Sequence, residues 1–223
     1  MARLLSELFC QYWKDKHITK PVVILIGGYA GTGKSTLAAH LAKRLEYAQT
    51  IPTGIFRSIA QTQSDPKRNP ALFLSTYDLN TLYGNTTEDI RRAYVEQCEP
   101  VTQIITSVIN FLAVEKQHLV IEGNHILPWE AYEQAGCSVI EMYTYVRDKE
   151  QHRTMLGGPT HNRTLTDEQF TTGRAIHDIL YAETLKHGKA LFECSEMEQA
   201  EAYLQQRFSE IMQTEGVKAD VKT

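Results

Sequence analysis

Paired cysteines, long apolar runs and an excess of positive charge are all missing from this sequence. The four cysteines, Cys10, Cys98, Cys137 and Cys194, are scattered and form no C-x-x-C pair. A reduced, cytoplasmic setting therefore fits better than a disulfide framework, and Cys137 and Cys194 lie in or beside apolar runs, where buried free thiols are common. His152, His161 and His177 lack the spacing of a structural zinc site and read as polar surface or lid residues. No apolar run is long enough to cross a membrane, so no membrane partner is expected. No signal peptide is expected at the N-terminus, because Ser6 and Glu7 interrupt its apolar residues and no cleavage site of small residues follows. With 23 Lys and Arg against 27 Asp and Glu, the formal charge is −4. That balance disfavours a general affinity for nucleic acid but leaves room for a local basic cleft. Nothing in the sequence sets an oligomeric state.

The strongest positive signal is Val22 to Ile26, five consecutive apolar residues. Such a run reads as a central parallel strand covered on both faces. A glycine-rich loop follows at once, and Ser35 to Leu45 then reads as a helix with Leu37, Ala38, Leu41 and Leu45 on one side. Further strands are expected at Ile51, at His118 to Ile121, at Val139 to Val146 and at Ala190 to Phe192. Helices are expected near Leu4 to Phe9, from about Thr86, over Glu168 to Leu185 and over Met197 to Met212. Pro100 should break or kink the second of these. Gln61 to Asn85, rich in Ser, Thr, Asp, Asn and Pro, reads as loop or short helix over the site. Strands separated by helices imply an α/β fold, a parallel sheet with helices on both faces. The expected division is an N-terminal helical extension over 1–20, one domain over 21–213 and a disordered polar tail over 214–223.

The loop Gly28-Tyr29-Ala30-Gly31-Thr32-Gly33-Lys34-Ser35 matches G-x-x-x-x-G-K-[ST]. Its glycines let successive backbone N–H groups face phosphate oxygens, and the helix that follows adds a partial positive charge. The expected ligand is ATP with Mg²⁺: Lys34 on the β and γ phosphates, the Ser35 hydroxyl on the metal, Thr36 in support. Glu122, at the end of an apolar strand, is placed to hold the metal shell or orient a nucleophile, or else stands as a solvated carboxylate at a loop start. Arg147, Arg153, Arg163 and Arg174 cluster around Gly157-Gly158-Pro159. Arginines on a mobile flap, here a lid over about 147–175, can neutralise charge in phosphoryl transfer, although any one of them reads equally well as a solvated side chain. Lys67, Arg68, Arg91 and Arg92 are further candidates for an anionic co-substrate, and His125 lies three residues beyond Glu122.

Several segments together resemble the 2-phosphoglycerate kinase family of P-loop kinases. Val23 through Thr36 resembles its opening motif, and Leu119-Val120-Ile121-Glu122-Gly123-Asn124-His125-Ile126-Leu127-Pro128 is similar to its E-G-x-H-L-x-P strand motif. Gly173-Arg174-Ala175-Ile176-His177-Asp178-Ile179-Leu180 is similar to its late I-R-x-I-Q-D-Y-L helix, and Ser75-Thr76-Tyr77 occupies the place of a substrate-side segment. The resemblance implies an ATP-dependent kinase that phosphorylates the free hydroxyl of 2-phosphoglycerate, giving 2,3-bisphosphoglycerate. It implies a three-layer α/β/α fold with a five-stranded parallel sheet of order 2-3-1-4-5 and a helical, arginine-bearing lid. It places Lys34, Glu122, Arg153, Arg163 and Arg174 in catalysis, and Arg57, Ser75, Tyr77 and His125 on an anionic small-molecule acceptor. It also sets the loop around Cys194 to Glu196 beside the adenine.

The chain departs from the family at two places. Family members carry T-D-x-I-R after the second strand, whereas this chain reads Thr53-Gly54-Ile55-Phe56-Arg57, with no proton acceptor where the aspartate is expected. The twenty residues before Pro21 are also too few for the N-terminal regulatory domain of archaeal members. A general base supplies ~10²–10⁴-fold while positioning and charge neutralisation supply much of the rest, so Gly54 is compatible with turnover. Three other readings remain open: a kinase for an inositol phosphate, nucleoside or sugar nucleotide, an ATP-binding regulatory protein that has lost turnover, and nucleic-acid end phosphorylation, which the net charge disfavours.

Overall fold

The computed structural model describes residues 5–45, 48–158 and 164–216. Its centre is β1 (Val22–Gly27), buried along its whole length and paired in parallel with a strand on each side. In chain order the other elements begin with α1 (Leu5–Lys14), which precedes β1, and α2 (Lys34–Ala42), β2 (Gln49–Pro52) and α3 (Thr53–Thr62), which follow it. Two single-turn helices, α4 (Pro70–Phe73) and α5 (Asn80–Tyr83), precede the long α6 (Thr87–Glu115). The remainder is β3 (Leu119–Gly123), β4 (Ser138–Tyr145), α7 (Lys149–Gly157), α8 (Asp167–Lys186), β5 (Leu191–Glu193) and α9 (Met197–Thr214). The five strands form one parallel sheet in the order β2-β3-β1-β4-β5, with helices on both faces. This is the three-layer α/β/α arrangement of the P-loop kinases.

Alternation along each strand explains the two layers. Val22, Ile24, Ile26, Val120, Ile140 and Met142 point to one face and meet α1, α2 and α9 through Phe9, Leu41 and Phe208. Val23, Leu25, Leu119, Ile121 and Tyr143 point to the other, against Phe56 of α3 and Val101, Ile105 and Ile109 of α6. A third cluster, built on Tyr29, Tyr77, Tyr94, Phe170 and Ile176, lies over the carboxyl ends of the strands and joins α6, α7 and α8. Among the described residues no helix is long and apolar enough to cross a membrane.

Two elements differ from the sequence expectation. α6 runs through Pro100 as one helix of 29 residues. The proline leaves the Glu96 carbonyl without its N–H and costs up to about 3 kcal/mol. Both halves are anchored by burial, the first through Tyr94 and Cys98 in the cluster around Tyr29 and Tyr77, the second through Val101, Ile105 and Ile109 against the sheet. Capping also helps, since the Thr86 hydroxyl accepts the Asp89 N–H and Glu88 and Asp89 sit in the first turn. The second difference is α3, a helix over Thr53–Thr62 where the sequence pattern marks no element. Phe56 and Ala60, four residues apart, are buried, while Ile55 and Ile59 stay exposed, so the helix is fixed by one face alone.

Candidate active site

The phosphate loop leaves β1 at Gly27 and enters α2 at Lys34. At Gly28 (φ 132°) a Cβ would lie 2.4 Å from the Thr144 carbonyl oxygen, and at Gly31 (φ 74°) one would lie 2.9 Å from Leu156. Glycine is required at both, for backbone angle and for space. Inside the loop the Thr32 hydroxyl donates to the Tyr29 carbonyl at 2.8 Å and meets the Thr144 hydroxyl at 2.8 Å. Lys34 is buried, and its Nζ donates to the same Tyr29 carbonyl. A lysine curled onto its own loop stands where a phosphate oxygen would otherwise attract it. Ser35 and Thr36 open the first turn of α2 and are exposed.

β3 delivers Glu122 to this point because its register with β1 pairs Ile26 with Glu122 and Gly27 with Gly123. The Ser35 hydroxyl donates to Glu122 Oε1 at 3.0 Å. The sequence therefore brings a hydroxyl and a carboxylate together from positions 87 residues apart. Among the described residues no three His, Cys, Asp or Glu side chains are grouped to hold a metal. A divalent ion held by Ser35 and Glu122 would draw its remaining oxygens from phosphates and water. That donor set suits Mg²⁺, which keeps several waters and prefers few protein ligands.

On the acceptor side, Gly123 (φ 156°) lets Thr53 approach so closely that a Cβ there would lie 1.8 Å from the Thr53 hydroxyl. That hydroxyl is 2.9 Å from His125 Nδ1. His125 is buried, and its Nε2 has no hydrogen-bond partner. Burial, then the cations Arg57 and Lys34, lower its pKa to about 3, so the ring is neutral. Arg57 spends its Nε on the Leu72 carbonyl at 2.9 Å and another nitrogen on the Leu74 carbonyl. Gln97 reaches the Ala71 and Leu74 carbonyls at 2.8 and 2.9 Å. These bonds hold the segment leading to Ser75, which is exposed and accepts the Tyr77 N–H at 3.3 Å. Tyr77 is buried edge-on against Tyr29, ring centroids 5.7 Å apart. Gly54 lies in the first turn of α3 with open space around its Cβ position.

The arginines differ from one another. Arg153, on α7, pairs with exposed Asp167 at 2.9 Å and lies over the Phe170 ring at 4.2 Å. Arg174 is tied to Asp178 at 2.9 Å and donates to the Val146 and Arg147 carbonyls at 3.1 and 3.2 Å, closing the end of β4. Arg147 is exposed and reaches the Tyr145 hydroxyl. Arg163 lies outside the described residues, as does His161. Lys67 and Arg68 are exposed, and Arg91 and Arg92 serve Trp129, Glu183, Glu96 and Tyr83 on the face of α6. Cys194 sits beside the loop, its Cβ 3.4 Å from the position a Cβ on Gly33 would take.

His152 and His177, expected as polar surface or lid residues, are not on the surface but buried. Nothing in their own stretches of sequence marks this, because their partners come from the phosphate loop and from β4: His152 Nε2 lies 2.8 Å from the Ala30 carbonyl, and His177 Nε2 accepts the Val146 N–H at 3.1 Å.

No family model matches the sequence. It is 25% identical to a 2-phosphoglycerate kinase of Methanopyrus kandleri over 82% of this chain and 59% of that one. It is 32% identical to a 2-phosphoglycerate kinase of Methanocaldococcus jannaschii over 52% of this chain and 38% of that one. A shikimate kinase from Acinetobacter baumannii in complex with shikimate superposes with a TM-score of 0.49 at 17% identity, over 88% of this chain and 97% of that one. The chain thus spans less than two thirds of the length of the archaeal relatives it matches. It is similar in sequence to archaeal 2-phosphoglycerate kinases, on a sheet ordered as in the P-loop kinases.

Proposed function

We propose that this protein is an ATP- and Mg²⁺-dependent kinase that transfers the γ-phosphoryl group to the hydroxyl of a small phosphorylated acid of the 2-phosphoglycerate type. The observation that carries the reading is the Ser35–Glu122 contact of 3.0 Å at the mouth of a glycine loop that also holds buried Lys34. A structural turn has no use for a hydroxyl and a carboxylate meeting at the head of a glycine loop that also buries an ammonium.

In this reading the amides of the loop and the N-terminus of α2 bind the phosphates. Lys34 leaves the Tyr29 carbonyl for the β and γ oxygens, and Ser35 and Glu122 hold the metal, which when bound spreads the charge of the transferred group. Arg153 leaves Asp167 to meet that charge; an exposed pair of this kind is worth only about 0–1 kcal/mol, whereas a phosphate offers a doubly charged, bidentate partner. Arg174 shapes the end of β4, and Arg163 is assigned to the same lid by resemblance. Arg57, Ser75, Tyr77 and His125 face the acceptor, and the strip at Cys194 to Glu196 flanks the base. The domain spans 21–213 in this proposal, and the setting is cytoplasmic.

One observation favours a second reading. Gly54 has no side chain to accept a proton, although open space surrounds its Cβ position, which fits a nucleotide-binding protein without turnover. Transfer of labelled γ-phosphate from ATP to 2-phosphoglycerate and a panel of phosphorylated acids, sugars, inositols and nucleosides separates the two. Turnover of any acceptor above the Lys34→Ala background supports the kinase. ATP binding without turnover of any acceptor supports the second reading.

A further inference from the structure

The phosphate loop is gripped from outside by the lid helix. His152 has no exposed surface. The carbonyl of Ala30 can only accept, so His152 Nε2 carries the proton and donates across 2.8 Å. The contact joins residues 122 positions apart. Leu156, one turn further along α7, reaches the same loop, and together the two side chains cover the face of Gly31. The ring is held on its other sides by His177, at 4.9 Å between centroids, by Phe170 at 6.0 Å and by Tyr29 at 6.3 Å. His177 is fixed in turn, accepting from the Val146 N–H and donating from Nδ1 to Asp178. Asp178 also holds Arg174.

This geometry bears on phosphate binding. No peptide bond here is cis, and in a planar trans peptide the C=O and N–H point in opposite directions. Fixing the Ala30 carbonyl toward α7 therefore turns the Gly31 N–H away from α7, to the inner side of the loop. Gly31 has positive φ and no Cβ, so nothing in its own side chain would hold that peptide plane. The Gly31 N–H makes no hydrogen bond to any described residue. The outward bond and the free inward amide are two ends of one rigid unit.

We propose that His152 is a positioning residue for phosphate binding: from the lid helix it locks the Ala30–Gly31 peptide so that the Gly31 amide faces the nucleotide, and it thereby couples the lid to the loop. The inference rests on the loop binding ATP. His152 would touch neither phosphate nor acceptor. Because the loop and α7 share this bond, nucleotide bound to the loop is felt at Arg153, the next residue of the lid. Nδ1 of His152 is buried without a partner among the described residues, so only the Nε2–H is used, and a side chain that supplies that donor alone should serve.

The test compares His152→Phe, which keeps an apolar ring and loses the donor, with His152→Gln, whose amide NH₂ can reach the same carbonyl. ATP with Mg²⁺ is titrated calorimetrically, and amide exchange over 28–34 is followed without nucleotide. The Phe variant should bind ATP about tenfold more weakly, with faster exchange across the loop, and Gln should recover affinity to within about threefold. A purely structural role would lower the melting temperature in both variants without separating their ATP affinities. Equal affinity for parent and Phe variant overturns the proposal, and so does unchanged exchange in the ligand-free loop. Should the Phe variant fail to fold, His152→Asn replaces it: its shorter amide falls short of Ala30, and Asn and Gln binding ATP equally would overturn the proposal. If the parent itself binds no ATP, the kinase reading fails, while the exchange comparison still decides whether His152 holds the loop.

Discussion

Glu122 owes its place to strand register, and its chemistry to Ser35. The pairing of Ile26 with Glu122 puts the carboxylate beside the loop, and a shift of one residue would turn it to the opposite face. Replacing Glu122 with Gln keeps an acceptor for the Ser35 hydroxyl and removes the charge. We expect kcat to fall roughly 10²–10³-fold, as for other preorganised electrostatic contacts, with ATP affinity changed much less. Steady-state kinetics with calorimetric ATP binding checks this, and an unchanged kcat would take Glu122 out of the reaction. Gly54→Asp makes the complementary experiment. The site has room for the side chain, and an acid in the first turn of α3 is favoured by ~0.3–1 kcal/mol. The variant should melt at the same temperature as the parent or slightly above it. A gain in turnover with that stability would mark Gly54 as a lost base, while a loss would mean that the parent site is already tuned without it.

At the scale of elements, the long apolar runs were legible and the packed contacts were not. β1, the loop and the β3 strand that carries Glu122 near its carboxyl end announce themselves because a buried parallel strand needs nothing but consecutive apolar residues. α3 was missed because its buried stripe is only three residues long, Thr53, Phe56 and Ala60, and begins directly after Pro52. Of the break or kink expected at Pro100, the break does not occur, because tertiary contacts on both sides outweigh one missing hydrogen bond. The pair joining α7 to α8 could not be read either, as Arg153 meets Asp167 only after the chain has turned back. Asp167 is almost fully exposed but lies in the first turn of α8, so Asp167→Asn should lower the melting temperature by no more than about three degrees. Freed from that partner, Arg153 should raise ATP affinity by up to about fivefold, the equivalent of ~1 kcal/mol. A drop in affinity would mean that the pair holds Arg153 in its working position. Capping is a second property of this region: Thr166 and Gln169 form a reciprocal box at the start of α8, so Thr166→Ala should cost about 1 kcal/mol in chemical denaturation.

Across the whole molecule, three buried histidines tie stability to pH. Burial lowers the pKa of His118 to about 4, of His125 to about 3 and of His152 to about 4, each from 6.5. They sit in three different places: His118 under Val22 at the start of the sheet, His125 on the acceptor side and His152 against the phosphate loop. All three are neutral in the folded chain at pH 7. Between pH 6.5 and about 4 the unfolded chain takes up protons that the folded chain refuses, so the unfolded state binds more protons and stability falls as pH falls. Above pH 6.5 both states are neutral at these positions and the contribution is flat. Urea titrations from pH 8 to pH 4.5 should show a plateau down to about pH 6.5 and then a decline on the order of a few kcal/mol. In His118→Gln and His152→Gln variants the decline should be shallower, each by its own share, because the two sites are fixed by different elements and share no partner. Nucleotide should flatten the dependence at His125, since phosphates beside Lys34 cancel one of the two cations that oppose its protonation. A stability curve that stayed level to pH 4.5 would mean that these rings are solvated, and with them the interior on which the proposed site depends.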